Sequence, residues 1–233
     1  MRGLFLFCFI LSAAAAPAQE QPKVSFTRII KPILETACVK CHGADRWHGG
    51  LRIDTKELAF ESGDNGVSIV PGKPRSSSLY TTLVLASDNP RVMPPNGREA
   101  VSKEQIEYVR RWIEEGAEWP EGIELKRVDK IPFSVVGGIL QQSCLQCHQS
   151  QKKEGGVRLD TREEALKGSA KGPVIVPYDG DASPLYRSLL SPGVHDKNPP
   201  RLLTEEDKQA LREWINQGAT WPEDIELSVP KPK

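Results

Sequence analysis

Large aromatic side chains are scarce in this sequence. Phe, Trp and Tyr make up 6% of its 233 residues, so a core built around them calls for help from some other apolar body. Net charge of either sign is also missing: 31 basic residues balance 31 acidic ones. That speaks against nucleic acid as a partner, because a basic surface is the expected footprint, and it gives no signal for a membrane surface. Methionine is limited to Met1 and Met93, and histidine to His42, His48, His148 and His195. Any chemistry that uses these side chains therefore has few positions to draw on.

A membrane-length apolar run is absent as well. The N-terminal run Leu4–Leu11 is too short to span a bilayer. One Arg precedes it, and small residues ending in Ala16, Pro17 and Ala18 follow it. That is the order of a secretory signal peptide. We expect residues 1–18 to be removed and an exported, periplasmic protein to start near Gln19, with no stable membrane span. The alternative is an uncleaved anchor. Cys8 sits inside the apolar run, which argues against a lipoprotein.

What remains is a duplication. "CVKCH" ending at His42 returns as "CLQCH" ending at His148, and "GGLRIDT" from Gly49 returns as "GGVRLDT" from Gly155. The offset is 106 (148 − 42), and it holds for the "IVP" at Ile69 and Ile175 and the Leu-Tyr at Leu79 and Leu185. Further on, "RRWIEEGAEWP" returns as "REWINQGATWP" at an offset of 102 (Trp214 − Trp112). Two copies make a tandem pair rather than a solenoid. The expected division is 19–126 and 127–233.

Each unit reads as mainly helical with long loops. Apolar residues recur at helical spacing from Phe26 to Thr36, despite Pro32, and from Phe133 to Gln142. "LRIDT" and "VRLDT" are candidates for extended chain. Ser77 to Ala86 is read as a helix, as is its counterpart, where Ser183 and Pro184 form an N-cap and N1 pair. A final helix starts at Ser102 with Gln105 as a capping box and stops at Gly116. The second unit repeats it from Thr204 to Gly218.

Beyond Cys8, the cysteines form two C-x-x-C pairs, each followed by His. C-x-x-C-H is the attachment signature of c-type haem. Cys38 and Cys41, or Cys144 and Cys147, are spaced to form thioethers along one porphyrin edge. His42 or His148 then lies under the iron. Two covalently attached haem c groups would also answer the shortage of aromatics. A redox-active disulfide expects a βαβ setting that is absent here. A single Cys₄ zinc site leaves the two histidines unexplained. A disulfide within C-x-x-C closes too small a loop to stabilise much.

Each unit resembles the planctomycete-type cytochrome c domain. The likeness rests on "ACVKCHG", "GGLRIDT", "IVPGKPRSSSLY", "MPPNG" and "RRWIEEGA", and on "SCLQCHQ", "GGVRLDT", "IVPYDGDASPLY" and "REWINQGA". It implies a mainly α, cytochrome c-like fold in tandem and electron transfer to redox partner proteins. It also implies that Cys38 and Cys41 are thioether sites, His42 the proximal ligand and Met93 the distal one. Cys144, Cys147 and His148 match in the same way, but Asn198 stands where the second Met belongs.

His195 is three residues upstream of Asn198. It is read as the distal ligand of a bis-His iron. The competing reading is an open site with His195 or Asn198 as a polar distal group; Lys197 is a further candidate. Met/His ligation raises the potential of a haem, so the first haem is expected to be the higher-potential one. Arg52 and Arg158 are candidates to pair with haem propionates or with Asp54 and Asp160. The repeated Trp residues are read as packing, and Trp47 and His48 as lying near the haem edge or surface. Three functions compete: an electron carrier, a dihaem peroxidase, and a gas-binding haem protein.

Overall fold

The computed structural model describes residues 21–64, 66–95, 101–191 and 202–230. The segment 1–18 lies outside them.

Ser25 opens the first helical segment, its hydroxyl accepting from the Arg28 amide at 3.3 Å. The chain then makes a π-helical turn, Phe26–Ile30, before tightening into α1, Lys31–Ala37. Pro32 accounts for the change of pitch. It has no N–H to give to the carbonyl of Arg28, and its ring crowds that carbonyl. In the wider turn the amides of Ile30 and Lys31 reach back five residues, to the carbonyls of Ser25 and Phe26. The corresponding α5, Phe133–Ser143, has no Pro inside it and is α-helical throughout. The π turn has a packing consequence. Phe26 and Phe133 are 107 residues apart, whereas the buried Ile33 and Ile139 behind them are 106 apart. A π turn absorbs one extra residue, so both Phe rings reach the same Trp: Phe26 lies 4.2 Å from Trp119 and Phe133 4.5 Å from Trp221, centroid to centroid.

Directly after each C-x-x-C-H the chain folds into a two-residue hairpin, which the sequence pattern did not predict. β1, His42–Gly43, pairs with β2, Arg46–Trp47. In the same way β5, His148–Gln149, pairs with β6, Lys152–Lys153. "LRIDT" and "VRLDT" carry no ladder. They lead into α2, Lys56–Ala59, and α6, Arg162–Lys167, capped by the hydroxyls of Thr55 and Thr161. The first repeat adds a hairpin of β3, Ser62–Gly63, and β4, Gly66–Val67.

Of the next two helices, the first is shorter than expected, whereas the second begins with Ser183 at the N-cap and Pro184 in its first turn. α3 is confined to Ser78–Thr81 and α7 to Pro184–Leu190. Past Thr81 the Leu83 amide bonds three residues back, to the Tyr80 carbonyl, and the helix ends. Ser77 and Ser183 do not cap with their side chains. Both are fully buried and turned back toward the preceding loop. Ser77 Oγ accepts from the Val70 amide at 2.9 Å, and Ser183 Oγ accepts from the Val176 amide at 2.8 Å. Pro184 does occupy the first turn of α7.

The final helices are α4, Lys103–Glu114, and α8, Glu205–Asn216. Each has a complete capping box, Ser102 with Gln105 and Thr204 with Asp207. Gly116 (φ 108°) and Gly218 (φ 99°) terminate them in a conformation that side chains rarely adopt.

Buried side chains gather into one cluster per repeat. Trp112 and Trp214 are about 1% exposed, and their indole N–H groups donate to the carbonyls of Glu118 and Thr220. The few aromatics are thus concentrated where the last helix meets the first. One residue crosses over: Tyr178, from the second repeat, is buried in the first repeat's cluster. Among the described residues, no helix is long and apolar enough to cross a membrane.

Candidate cofactor site

The C-x-x-C-H segments continue the first helix of each repeat as an extra turn. Cys38 donates its amide to the Leu34 carbonyl, and Cys41 and His42 donate theirs to the Cys38 carbonyl, all at 2.9–3.0 Å. Cys144, Cys147 and His148 make the same three bonds at 2.9–3.1 Å. The carbonyls of His42 and His148 then accept from Ile53 and Leu159, each at 2.9 Å. Two segments with different intervening residues therefore share one backbone, and it presents two sulfurs and an imidazole along one turn.

In the first repeat these groups open onto a cavity of about 330 Å³, within the size range of small-molecule and cofactor sites. Cys38, Cys41 and His42 form one wall. Met93, Pro94 and Pro95 form another, and the Met93 amide is fixed to the Thr82 carbonyl at 3.0 Å. Leu51, Ile53, Leu79, Leu83 and Val101 complete an aliphatic lining, with His48 at an exposed position on it.

The chemistry of this lining suits a haem. His42 Nδ1 is buried and has no hydrogen-bond partner. Burial lowers the His42 pKa, against the opposing influence of the nearby Leu51 and His48 backbone. The ring is thus held toward the neutral form that ligates metals. Burial first, and the neighbouring Cys41 second, push the Cys38 thiol up to about 12; burial and then Cys147 do the same to Cys144. Reactive C-x-x-C pairs depend on a lowered thiol pKa, so this environment does not suit a redox disulfide. Cys38 packs against the first cluster and Cys144 against the second. The two pairs are therefore not assembled into one four-sulfur metal site. Among the described residues no three His, Cys, Asp or Glu side chains gather to hold a bare ion.

Arg52 and Arg158 turn to their own carboxylates. Arg52 forms a two-pronged pair with Asp54, and Arg158 with Asp160 at 3.0 and 2.9 Å. The backbone carbonyls of the same aspartates accept from Leu125 and Leu227, fastening the end of each repeat. Trp47 is 59% exposed, opposite His42 in the hairpin. His195 and Asn198, with the rest of the loop matching the Met93 loop, lie outside the described residues. The aliphatic walls escaped the sequence reading, although Leu51, Ile53 and Leu79 fall inside the repeated segments and could have been flagged there.

The sequence model of the family described as planctomycete cytochrome c matches residues 38–97 and 144–200. The chain belongs to that family. The two segments take in both C-x-x-C-H motifs, the Met93 loop and its counterpart, in a tandem arrangement. As a planctomycete cytochrome c it is a mainly helical, haem-binding electron-transfer protein of the type that attaches haem c covalently. Searches among curated proteins and among solved structures found no match to it.

Proposed function

We propose that this cytochrome is an exported dihaem carrier that passes single electrons between redox partner proteins. Residues 1–18 act as its signal peptide, and 19–126 and 127–233 each hold one haem. The observation that carries the reading is the cavity whose walls combine Cys38, Cys41 and His42 with Met93. The repeated backbone at Cys144, Cys147 and His148 extends it to the second half.

The bound haem supplies a one-electron iron couple. Cys38 and Cys41 would tether it, and His42 and Met93, which line the same cavity, would ligate its iron. Leu51, Ile53, Leu79 and Leu83 line the cavity and would keep water from the group. In the second repeat Cys144, Cys147 and His148 would take the same parts, and His195 would supply the second ligand to the iron. With Met93 serving the first haem, no other Met past residue 18 remains for the second. The second haem is therefore the lower-potential one, and unequal potentials give electron flow a direction.

Asn198 in the Met position favours a second reading, in which the distal side of the second haem stays open and takes peroxide or a diatomic gas. Carbon monoxide added to the reduced protein separates the two. Binding at neither haem fits the carrier; rapid binding at one fits the open site. His195→Ala should change the ferric EPR signal of one haem alone, and an unchanged spectrum would remove His195 as a ligand.

A further inference from the structure

The turn that is Pro71-Gly72-Lys73 in the first repeat is Pro177-Tyr178-Asp179 in the second. The backbone is the same in both. Gly72 and Tyr178 have φ of 75° and 66°, and both amides donate to the final helix at 2.8 Å, to the carbonyls of Ile113 and Ile215. Tyr at such a φ is uncommon and strained. Strain of this kind persists where the surroundings hold it in place, and here they do. The Gly180 amide donates to Asn216 Oδ1 at 2.7 Å, and Arg212 grips Asp181 with two bonds of 2.9 and 2.8 Å. The turn is thus fixed to α8.

The ring itself belongs to the other repeat. Tyr178 is 5% exposed and packed in the first cluster. It meets Tyr108 of α4 edge to face at 5.6 Å. Gly218 leaves room for it: a Cβ there would come within 2.6 Å of the ring, whereas a Cβ at Gly116, the matching position, meets nothing within 4 Å. The connecting segment is pinned from both sides as well. Lys126 and Val128 donate their amides to Glu35 of α1, and Ile131 donates to Gln217 at the end of α8.

We propose that Tyr178 is a positioning residue for electron transfer: a wedge that locks the two haem-bearing repeats into one orientation and so fixes the separation and tilt of their haems. The proposal rests on the dihaem reading above. It accounts for a costly backbone at one turn and for the crowding at Gly218, neither of which the first repeat shares: a glycine stands at position 72, and a Cβ at Gly116 meets nothing within 4 Å among the described residues.

The test uses the loaded protein and the variants Tyr178→Gly, Tyr178→Asn and Tyr178→Phe. Gly and Asn both tolerate the turn and both remove the ring, so neither depends on the other's folding. Haem content is measured first, then small-angle X-ray scattering, then interhaem magnetic coupling in the ferric state. Wild type and Tyr178→Phe should scatter as one compact particle with a single sharp coupling. Tyr178→Gly and Tyr178→Asn should keep each haem's own spectrum, scatter as an expanded, variable pair, and lose the sharp coupling. Compact scattering and unchanged coupling in both ringless variants would overturn the wedge. So would a Tyr178→Phe protein that behaves like them. A wild type carrying fewer than two haems would sink the dihaem reading, while the scattering would still judge the wedge.

Discussion

Replacing Gly116 and Gly218 by Ala separates backbone strain from packing at two matched helix ends. Both glycines sit at positive φ, 108° and 99°, and an L-residue forced into that half of conformational space costs about 1–2 kcal/mol. At Gly116 nothing within 4 Å opposes a methyl group, so that cost is the whole effect. At Gly218 the Tyr178 ring stands within 2.6 Å of the new Cβ and its hydroxyl within 2.7 Å. The ring is buried between two repeats and cannot swing into solvent. Overpacking of this kind adds about 1–3 kcal/mol, which brings Gly218→Ala to roughly 2–5 kcal/mol in all. Denaturant unfolding followed by circular dichroism measures both variants. Combining Gly218→Ala with Tyr178→Gly should bring its cost down to that of Gly116→Ala, because the two residues are in contact and their effects do not add. Equal costs for the two single variants, or no coupling to Tyr178, would show that the ring does not crowd Gly218.

Other consequences are as specific. Met93→Ala should abolish the methionine–iron charge-transfer band of the ferric protein and lower the potential of one haem while leaving the other unchanged, as read by redox titration. Trp112→Ala removes a buried indole that packs on Phe26 and Trp119 and strands the Glu118 carbonyl; it should cost about 3–5 kcal/mol in denaturant unfolding. The Arg52 guanidinium holds the Asp54 carboxyl below its usual value near 3.8. Because the folded value is the lower one, the pair stabilises the protein above the unfolded pKa and the contribution is lost as pH falls through the folded one. The stability difference between wild type and Asp54→Asn should therefore be constant near neutrality and shrink below pH of about 3.9, as followed by unfolding at stepped pH.

Periodicity was enough to find α1, α4, α5 and α8, because their apolar stripes and caps are local properties of the chain. The capping boxes at Ser102 and Thr204 formed as their side-chain chemistry requires. Ser77 and Ser183 illustrate the limit. A Ser before a helical pattern is an N-cap by local rules, but burial gave these hydroxyls stronger claims from the Val70 and Val176 loops. The π turn before Pro32 was equally hidden, since its cause is local while its purpose, placing Phe26 on Trp119, is tertiary. At the cofactor site the sulfurs and imidazoles were legible from spacing alone, and Met93 from the repeat alignment and family resemblance. That Met93 shares a cavity with His42 depends on how the intervening fifty or so residues fold. Tyr178 left a trace in the alignment, Tyr against Gly72, but only the positive φ and the burial in the other repeat give that mismatch a meaning.

The proposed carrier holds two covalent haems per chain with unlike distal ligands. The most direct measurement is the haem content of the protein matured in an exporting host, combined with a ferric EPR spectrum of the same sample. Two haems are expected, with one signal that changes in Met93→Ala and a second that does not. A single haem, or two signals that both respond to Met93→Ala, would rule out two haems with unlike distal ligands.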